Sequence, residues 1–130
     1  MIQRFFCALL LVLVLAGCEL YTTHMTPDQL IGQTVILTLE SGAFPDSTMT
    51  MQFVSSKDLV WRLSGNLGEA TGSSDYLVSR INPQTILMAW RNEEHEVSYI
   101  VTMDFDERRC FLVRADHGRN LLSEGVVAIE

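Results

Sequence analysis

Cysteine, proline and basic side chains are all scarce in this chain. Three cysteines and three prolines occur in 130 residues, and nine Lys and Arg stand against sixteen Asp and Glu, for a net charge of −7. Cys7, Cys18 and Cys110 share no CxxC or HxxxH spacing with one another or with His24, His95 and His117, so no metal site is expected. The acid excess leaves no basic stripe for a phosphate backbone, which excludes nucleic acid as a natural partner, and no polybasic run for lipid headgroups. No Ser-His-Asp arrangement, paired carboxylate or other catalytic signature stands out, and no cofactor motif occurs. Internal repeats and low-complexity tracts are also missing. The longest apolar run, Phe5 to Leu15, is short of the about 20 residues that a membrane-spanning helix needs.

That run has another reading. Arg4 precedes it, and it ends in Leu15-Ala16-Gly17-Cys18. A positive start, an apolar stretch and small residues make a secretory signal peptide. With a cysteine directly after Leu-Ala-Gly, the segment resembles the lipobox of bacterial lipoproteins. The resemblance implies cleavage before Cys18, diacylation of its thiol, and acylation of the new amino terminus by a chain such as palmitate. Residues 1–17 are then leader, 18–25 a lipidated tether and 26–130 a single domain, large enough for one core. The expected location is the bacterial cell envelope. Glu19 is not the Asp that resembles an inner-membrane retention signal, so the outer membrane, facing the periplasm, is the expected destination. Membrane contact is through the lipid on Cys18. Cys7 leaves with the leader and Cys18 takes the lipid, so Cys110 has no partner for an intramolecular disulfide. Within Arg109-Cys110-Phe111-Leu112-Val113 it reads as a small packed apolar group.

The domain opens with Thr26-Pro27-Asp28-Gln29-Leu30-Ile31, a short helix with Thr26 as N-cap, Pro27 at its first position and Gly32 to stop it. Strands follow at Gln33–Glu40, Ser47–Ser55, Leu59–Ser64, Ser74–Ile81, Gln84–Asn92, Glu96–Phe105, Arg109–Ala115 and Val126–Glu130, many with period-two alternation. Between them Ser41–Asp46, Lys57-Asp58, Asn82-Pro83, Glu93–His95, Asp106–Arg108 and His117-Gly118 read as turns. Gly65–Gly72 holds three glycines and few large apolar residues, and reads as a loop. Eight short strands without helical crossovers predict an all-β antiparallel sandwich or up-and-down barrel. A barrel of about eight strands can hold one small ligand.

The order of several residues is similar to that of a known family. Gly32 opens the first strand and Ser41-Gly42 makes the first hairpin. Leu59-Val60-Trp61-Arg62 precedes Gly65 and Gly68, Tyr76-Leu77-Val78 precedes Ile81-Asn82-Pro83, and Met88-Ala89-Trp90 precedes Val101-Thr102-Met103-Asp104-Phe105. Over about residues 32–115 this resembles the MoaF-like family and its relatives the phenolic acid decarboxylases. The resemblance implies an eight-stranded lipocalin-like (calycin) β-barrel with one short N-terminal helix. It does not carry the decarboxylases' catalytic set. Their paired tyrosines align near Leu37 and Leu39, their arginine falls in Gly68-Glu69-Ala70-Thr71-Gly72, and their acid/base glutamate falls at Asn92. Anchor and proton donor are both missing, so no catalytic residue is assigned.

Candidate ligand-binding residues remain. Trp61 shares a strand face with Leu59 and Leu63, and Trp90 with Ile86 and Met88, as cavity wall or core. Tyr76 and Tyr99 could turn hydroxyls into a cavity, and Met88 and Met103 could make an adaptable wall. Arg62 and Arg91 neighbour the tryptophans, but alternation turns them outward. Glu93-Glu94-His95-Glu96 reads as a solvated hairpin turn. The expected function is binding of a small apolar or amphipathic molecule without catalysis. The alternative is a protein-binding module like the lysozyme-inhibitor lipoproteins, whose Ser-Gly-x-x-Tyr loop is not reproduced by Ser64-Gly65-Asn66-Leu67-Gly68. Mass spectrometry of membrane-extracted protein is expected to find residues 1–17 absent and an acyl-sized increment on Cys18. A Cys18→Ser protein that stays equally membrane-associated would refute this.

Overall fold

The computed structural model describes residues 25–66 and 68–130. The leader, Cys18 and the tether as far as residue 24 lie outside the described residues. Eight strands follow a short 3-10 turn at Pro27–Leu30: β1 (Thr34–Gly42), β2 (Ser47–Phe53), β3 (Asp58–Gly65), β4 (Gly68–Asn82), β5 (Thr85–Asn92), β6 (Val97–Asp104), β7 (Arg109–Asp116) and β8 (Arg119–Ile129). Each pairs antiparallel with the next, and β8 returns to β1 to close a barrel. The expected fold class is what the chain adopts.

Alternation explains the inner face. Val35, Leu37 and Leu39 on β1 point inward with Met49, Met51 and Phe53 on β2 and Leu59, Trp61 and Leu63 on β3. On the far wall Ile86, Met88 and Trp90, then Tyr99, Val101 and Met103, then Cys110 and Leu112 complete the core. Each large apolar side chain taken from water contributes about 1.5–3 kcal/mol before the entropy of ordering it is charged. Arg62 and Arg91 are exposed on the outer face, as alternation requires.

The two ends of the barrel differ. At the end of the β2–β3, β4–β5 and β6–β7 turns, the 3-10 turn lies across the opening and buries Leu30. It is tied down by Met25 N–H to the Pro83 carbonyl (2.9 Å) and Gly32 N–H to the Phe53 carbonyl (2.8 Å). Among the described residues the opposite end has no such cover; the β1–β2 connection bends over its rim, where Phe44 N–H donates to Ser123 Oγ at 2.9 Å.

Three expectations need correction. The helix expected over Thr26–Ile31 is a single 3-10 turn: Ile31 N–H reaches back only to the Asp28 carbonyl, and Gly32, at φ +81°, turns the chain away. The Gly65–Gly72 segment is not a loop. β4 begins at Gly68, and Gly68 to Asp75 pairs with Gly65 to Asp58. Its inward positions are small because Trp61 takes the space: a Cβ on Gly72 would lie 2.9 Å from the Trp61 ring. β8 likewise starts at Arg119, well before Val126. Its inner face holds Ser123 and Gly125, and Gly125 lets β8 lie directly against the Thr38 carbonyl of β1, where any Cβ would collide. Strand boundaries shift elsewhere by a few residues. The β2–β3 turn ends at Lys57, not Asp58, with Ser55 Oγ accepting the Lys57 and Asp58 N–H groups at 3.2 and 3.0 Å.

Gly72→Val is therefore expected to cost about 1–3 kcal/mol through overpacking and to alter the near-ultraviolet dichroism of Trp61. Thr71→Ala, one position away on the exposed face, is expected to stay within about 0.5 kcal/mol in the same denaturant titration.

Candidate functional site

The open end is where the chemistry collects. Trp90 on β5 stands directly opposite Tyr99 on β6, and the rings stack with centroids 5.2 Å apart and planes 18° from parallel. Trp61, from the other side of the barrel, meets Tyr99 at 4.9 Å and Trp90 at 6.1 Å. Three of the six expected binding residues thus form one aromatic cluster. All are almost completely buried, with Tyr99 and Trp61 1% exposed.

Arg114 sits above this cluster. On β7 it follows the inward-facing Cys110 and Leu112 in the same period-two series. Its guanidinium carbon lies 5.7 Å from the Phe44 ring centroid and 5.9 Å from that of Tyr99, cation–π distances to both. Asp116 holds it from the rim at 3.4 Å, and the same carboxylate meets His117 at 3.4 Å. Arg114 was not among the sequence candidates. Its parity with Cys110 and Leu112 was the available signal, whereas adjacency to tryptophan drew notice to the outward Arg62 and Arg91. Those two make surface ion pairs, Arg62 with Glu69 at 2.7 Å and Arg91 with Glu93 at 3.9 Å.

The donors in this region outnumber their acceptors. Trp61 Nε1, Trp90 Nε1 and Arg114 Nε are buried and have no hydrogen-bond partner among the described residues. A buried donor left unpaired costs about 1–3 kcal/mol, so three in one connected group call for an acceptor from elsewhere. A cavity of about 200 Å³ opens at the rim, lined by Phe44, Ser47, Leu63, Ala70 and Arg114, with Glu69, itself paired with Arg62, at its edge. The Tyr99 phenol is pushed above its ordinary value, by burial first, with Arg114 working against the shift and Asp116 adding to it. Tyr99 is therefore a neutral hydroxyl at physiological pH.

The other expected residues lie elsewhere. Tyr76 packs edge-on against Phe53 at 5.3 Å, and its hydroxyl donates to the Ser55 carbonyl at 2.8 Å, which staples β4 to the β2–β3 turn. Met88 and Met103 are buried in the core, Met88 1% exposed and Met103 not at all. Leu37 and Leu39, the positions aligned with the decarboxylase tyrosines, are completely buried. A larger concavity, about 720 Å³, is outside the barrel: an open cleft over Val60, Thr71, Ser73 and Asp75 with the hairpin residues Glu93 and Glu94 along it. Beside it β4 from Gly68 to Asp75 has β3 as ladder partner and none on its other edge, since its pairing with β5 begins at Tyr76. No group of three or more potential metal ligands occurs among the described residues.

The closed barrel agrees with the outcome of comparison with known proteins. The family model of the MoaF N-terminal domain matches residues 20–117. The chain belongs to this family. The match stops short of β8, the strand that completes the MoaF-like barrel. A crystal structure of a candidate beta-lactamase from Burkholderia vietnamiensis superposes with a TM-score of 0.66, at 14% identity, over 78% of this chain and 95% of that one. At that identity the likeness is one of fold. No curated protein matches the chain.

Cys110 of this MoaF-like barrel is fully buried opposite Met103 and Gly125. Burial pushes its thiol from an ordinary 9.0 up to about 11, despite the nearby Arg109. A folded-state value above the unfolded one favours the fold below the unfolded value and loses that advantage as pH rises toward the folded value. The melting temperature is therefore expected to fall between about pH 9 and 11. Cys110→Ala should flatten part of that decline, and alkylation of the native thiol at neutral pH should be slow. Rapid alkylation of folded protein would contradict the placement of Cys110.

Proposed function

We propose that this MoaF-like domain is a periplasm-facing barrel, lipid-anchored at Cys18, whose open end binds a small amphipathic molecule bearing an anionic group. The observation that carries the reading is Arg114, which lines the rim cavity and whose buried Nε has no hydrogen-bond partner among the described residues. An anion at Arg114 would be met by charge and by hydrogen bonds in a partly water-excluded place, where both count for more than in bulk water. The apolar body of the ligand would lie against Phe44, Leu63 and Ala70, which line the cavity, as in ligand pockets generally, where a few polar groups orient a mostly apolar guest. The reading is binding rather than catalysis. The cluster offers a cation, three aromatic rings and a phenol held neutral, and pairs no nucleophile with a base.

The rival reading, a protein-binding module, draws on the outer cleft. That cleft is open and acidic, and it borders the one-sided half of β4, so a basic protein segment would be its partner. The two readings separate cleanly, because Trp90 and Arg114 do not line the cleft.

The test uses two fluorescent probes, the anionic 8-anilinonaphthalene-1-sulfonate and the neutral N-phenyl-1-naphthylamine. Arg114→Met is expected to weaken the sulfonate by about tenfold, or ~1.4 kcal/mol, and the neutral probe much less. Trp90→Ala should weaken both, and Glu94→Ala, in the exposed hairpin, neither. Equal binding of the sulfonate to wild type and Arg114→Met would overturn the proposed site. Hydroxycinnamic acids added to the same sample should bind without turnover, and saturable turnover would defeat the non-catalytic reading.

A further inference from the structure

The outside of the barrel has two unlike walls. On β1 to β3 the outward positions are mostly polar, among them Thr38, Glu40, Thr50, Gln52 and Arg62. On β4 to β8 the register builds something different. Leu77 is opposite Ala89, Ala89 opposite Ile100, Ile100 opposite Val113, and Val113 opposite Leu122. These five form one unbroken apolar row over five adjacent strands. With strands spaced about 4.8 Å apart, the row runs about 19 Å around the barrel. Leu77 is 77% exposed and Leu122 55%. Phe111, the next outward residue on β7, widens the row and is 43% exposed. Scattered exposed apolar side chains are ordinary, but a continuous band on a barrel of net charge −7 is not. No acidic side chain interrupts the row. Glu124, on its margin, is paired with Arg109 at 3.8 Å.

We infer that this β4–β8 wall rests against the membrane, with lipid as its partner. The inference depends on the proposed anchor at Cys18. The chain enters the barrel at Met25, whose N–H is bonded to the Pro83 carbonyl in the β4–β5 turn, at the border of this same wall. The seven residues from Cys18 to Met25 extend at most about 25 Å, so a lipid on Cys18 holds that border close to the bilayer. Leu77 lies five positions along β4 from Asn82, about 17 Å from the turn and within the same reach. The charge distribution favours lipid over a second copy of the chain. Association of two copies brings two acidic barrels together, while a wall whose central row carries no charge is the face an acidic barrel can lay on anionic headgroups with least repulsion.

The full, acylated protein is reconstituted into phosphatidylethanolamine–phosphatidylglycerol vesicles. Leu77→Cys, Ile100→Cys and Leu122→Cys are each labelled with a nitrobenzoxadiazole dye. Val60→Cys is the control, exposed on β3 between Gln52 and Ser73. The buried Cys110 and an acylated Cys18 leave the introduced thiol as the labelling target. Lipid carrying a nitroxide near its headgroup is expected to quench the three wall positions several-fold more than Val60→Cys. Equal quenching at all four positions overturns the inference. So does protection of the wall that tracks protein density and ignores the nitroxide, which would mean that a second copy covers it. Mass spectrometry separates the two layers: an unacylated Cys18 overturns the anchor and the wall together, whereas an acylated but unquenched protein overturns the wall alone.

Discussion

The interior is arranged around the room that one indole takes. Trp61 projects from β3 into a barrel too narrow for a second large group on the strand beside it, and β4 yields by presenting Gly72 to the ring. That accommodation sets the pairing of β3 with the first half of β4, and with it the path of a fifteen-residue strand that changes neighbour at Tyr76. Trp90 and Tyr99 then have a fixed surface to pack on. The aromatic cluster follows from this large-against-small fit more than from any polar contact, since neither indole N–H finds an acceptor among the described residues.

Much of this was readable from residue order, and the gaps have physical causes. The alternation of Val35, Leu37 and Leu39, or of Leu59, Trp61 and Leu63, states which side of the chain is buried, because a one-residue slip would expose the whole set. The all-β antiparallel architecture, the inward facing of Trp61 and Trp90 and the outward turn of Arg62 and Arg91 come from that rule. The choice of a barrel over a sandwich comes instead from the family resemblance, and alternation does not show that Trp61, Trp90 and Tyr99 would meet. It fails where the inner side chains are small. Ala70, Gly72, Ser123 and Gly125 occupy inward positions with none of the bulk that marks a strand, because Trp61 or a neighbouring backbone already fills the space. Alternation also gives facing without height. Tyr76 faces the same interior as Tyr99, yet the tilt of β4 carries it to Phe53 and the Ser55 carbonyl, away from the rim.

The polar groups divide in a related way. Most of the ion pairs among the described residues are solvent-exposed and of the kind that contribute little, such as Arg62 with Glu69. Alone among the described arginines, Arg114 is drawn into the aromatic mouth, with three-quarters of its side chain shielded. A cation between two rings and a rim carboxylate is held in place without being satisfied. That combination of fixed position and spare hydrogen-bonding capacity distinguishes a binding group from a packing one.

Closure of the barrel also fixes a timetable. The seam joins Val35 to Ile129 and Leu37 to Val127, nearly the whole length of the domain apart in sequence. Contacts of that separation form late, after the loop between them has been gathered. A chain that emerges from a ribosome or a translocation pore amino end first cannot complete the ring until its final strand is out. Until then β1 offers an open edge, and Gly125, the residue that lets β8 come close enough to seal it, is among the last of the barrel to arrive.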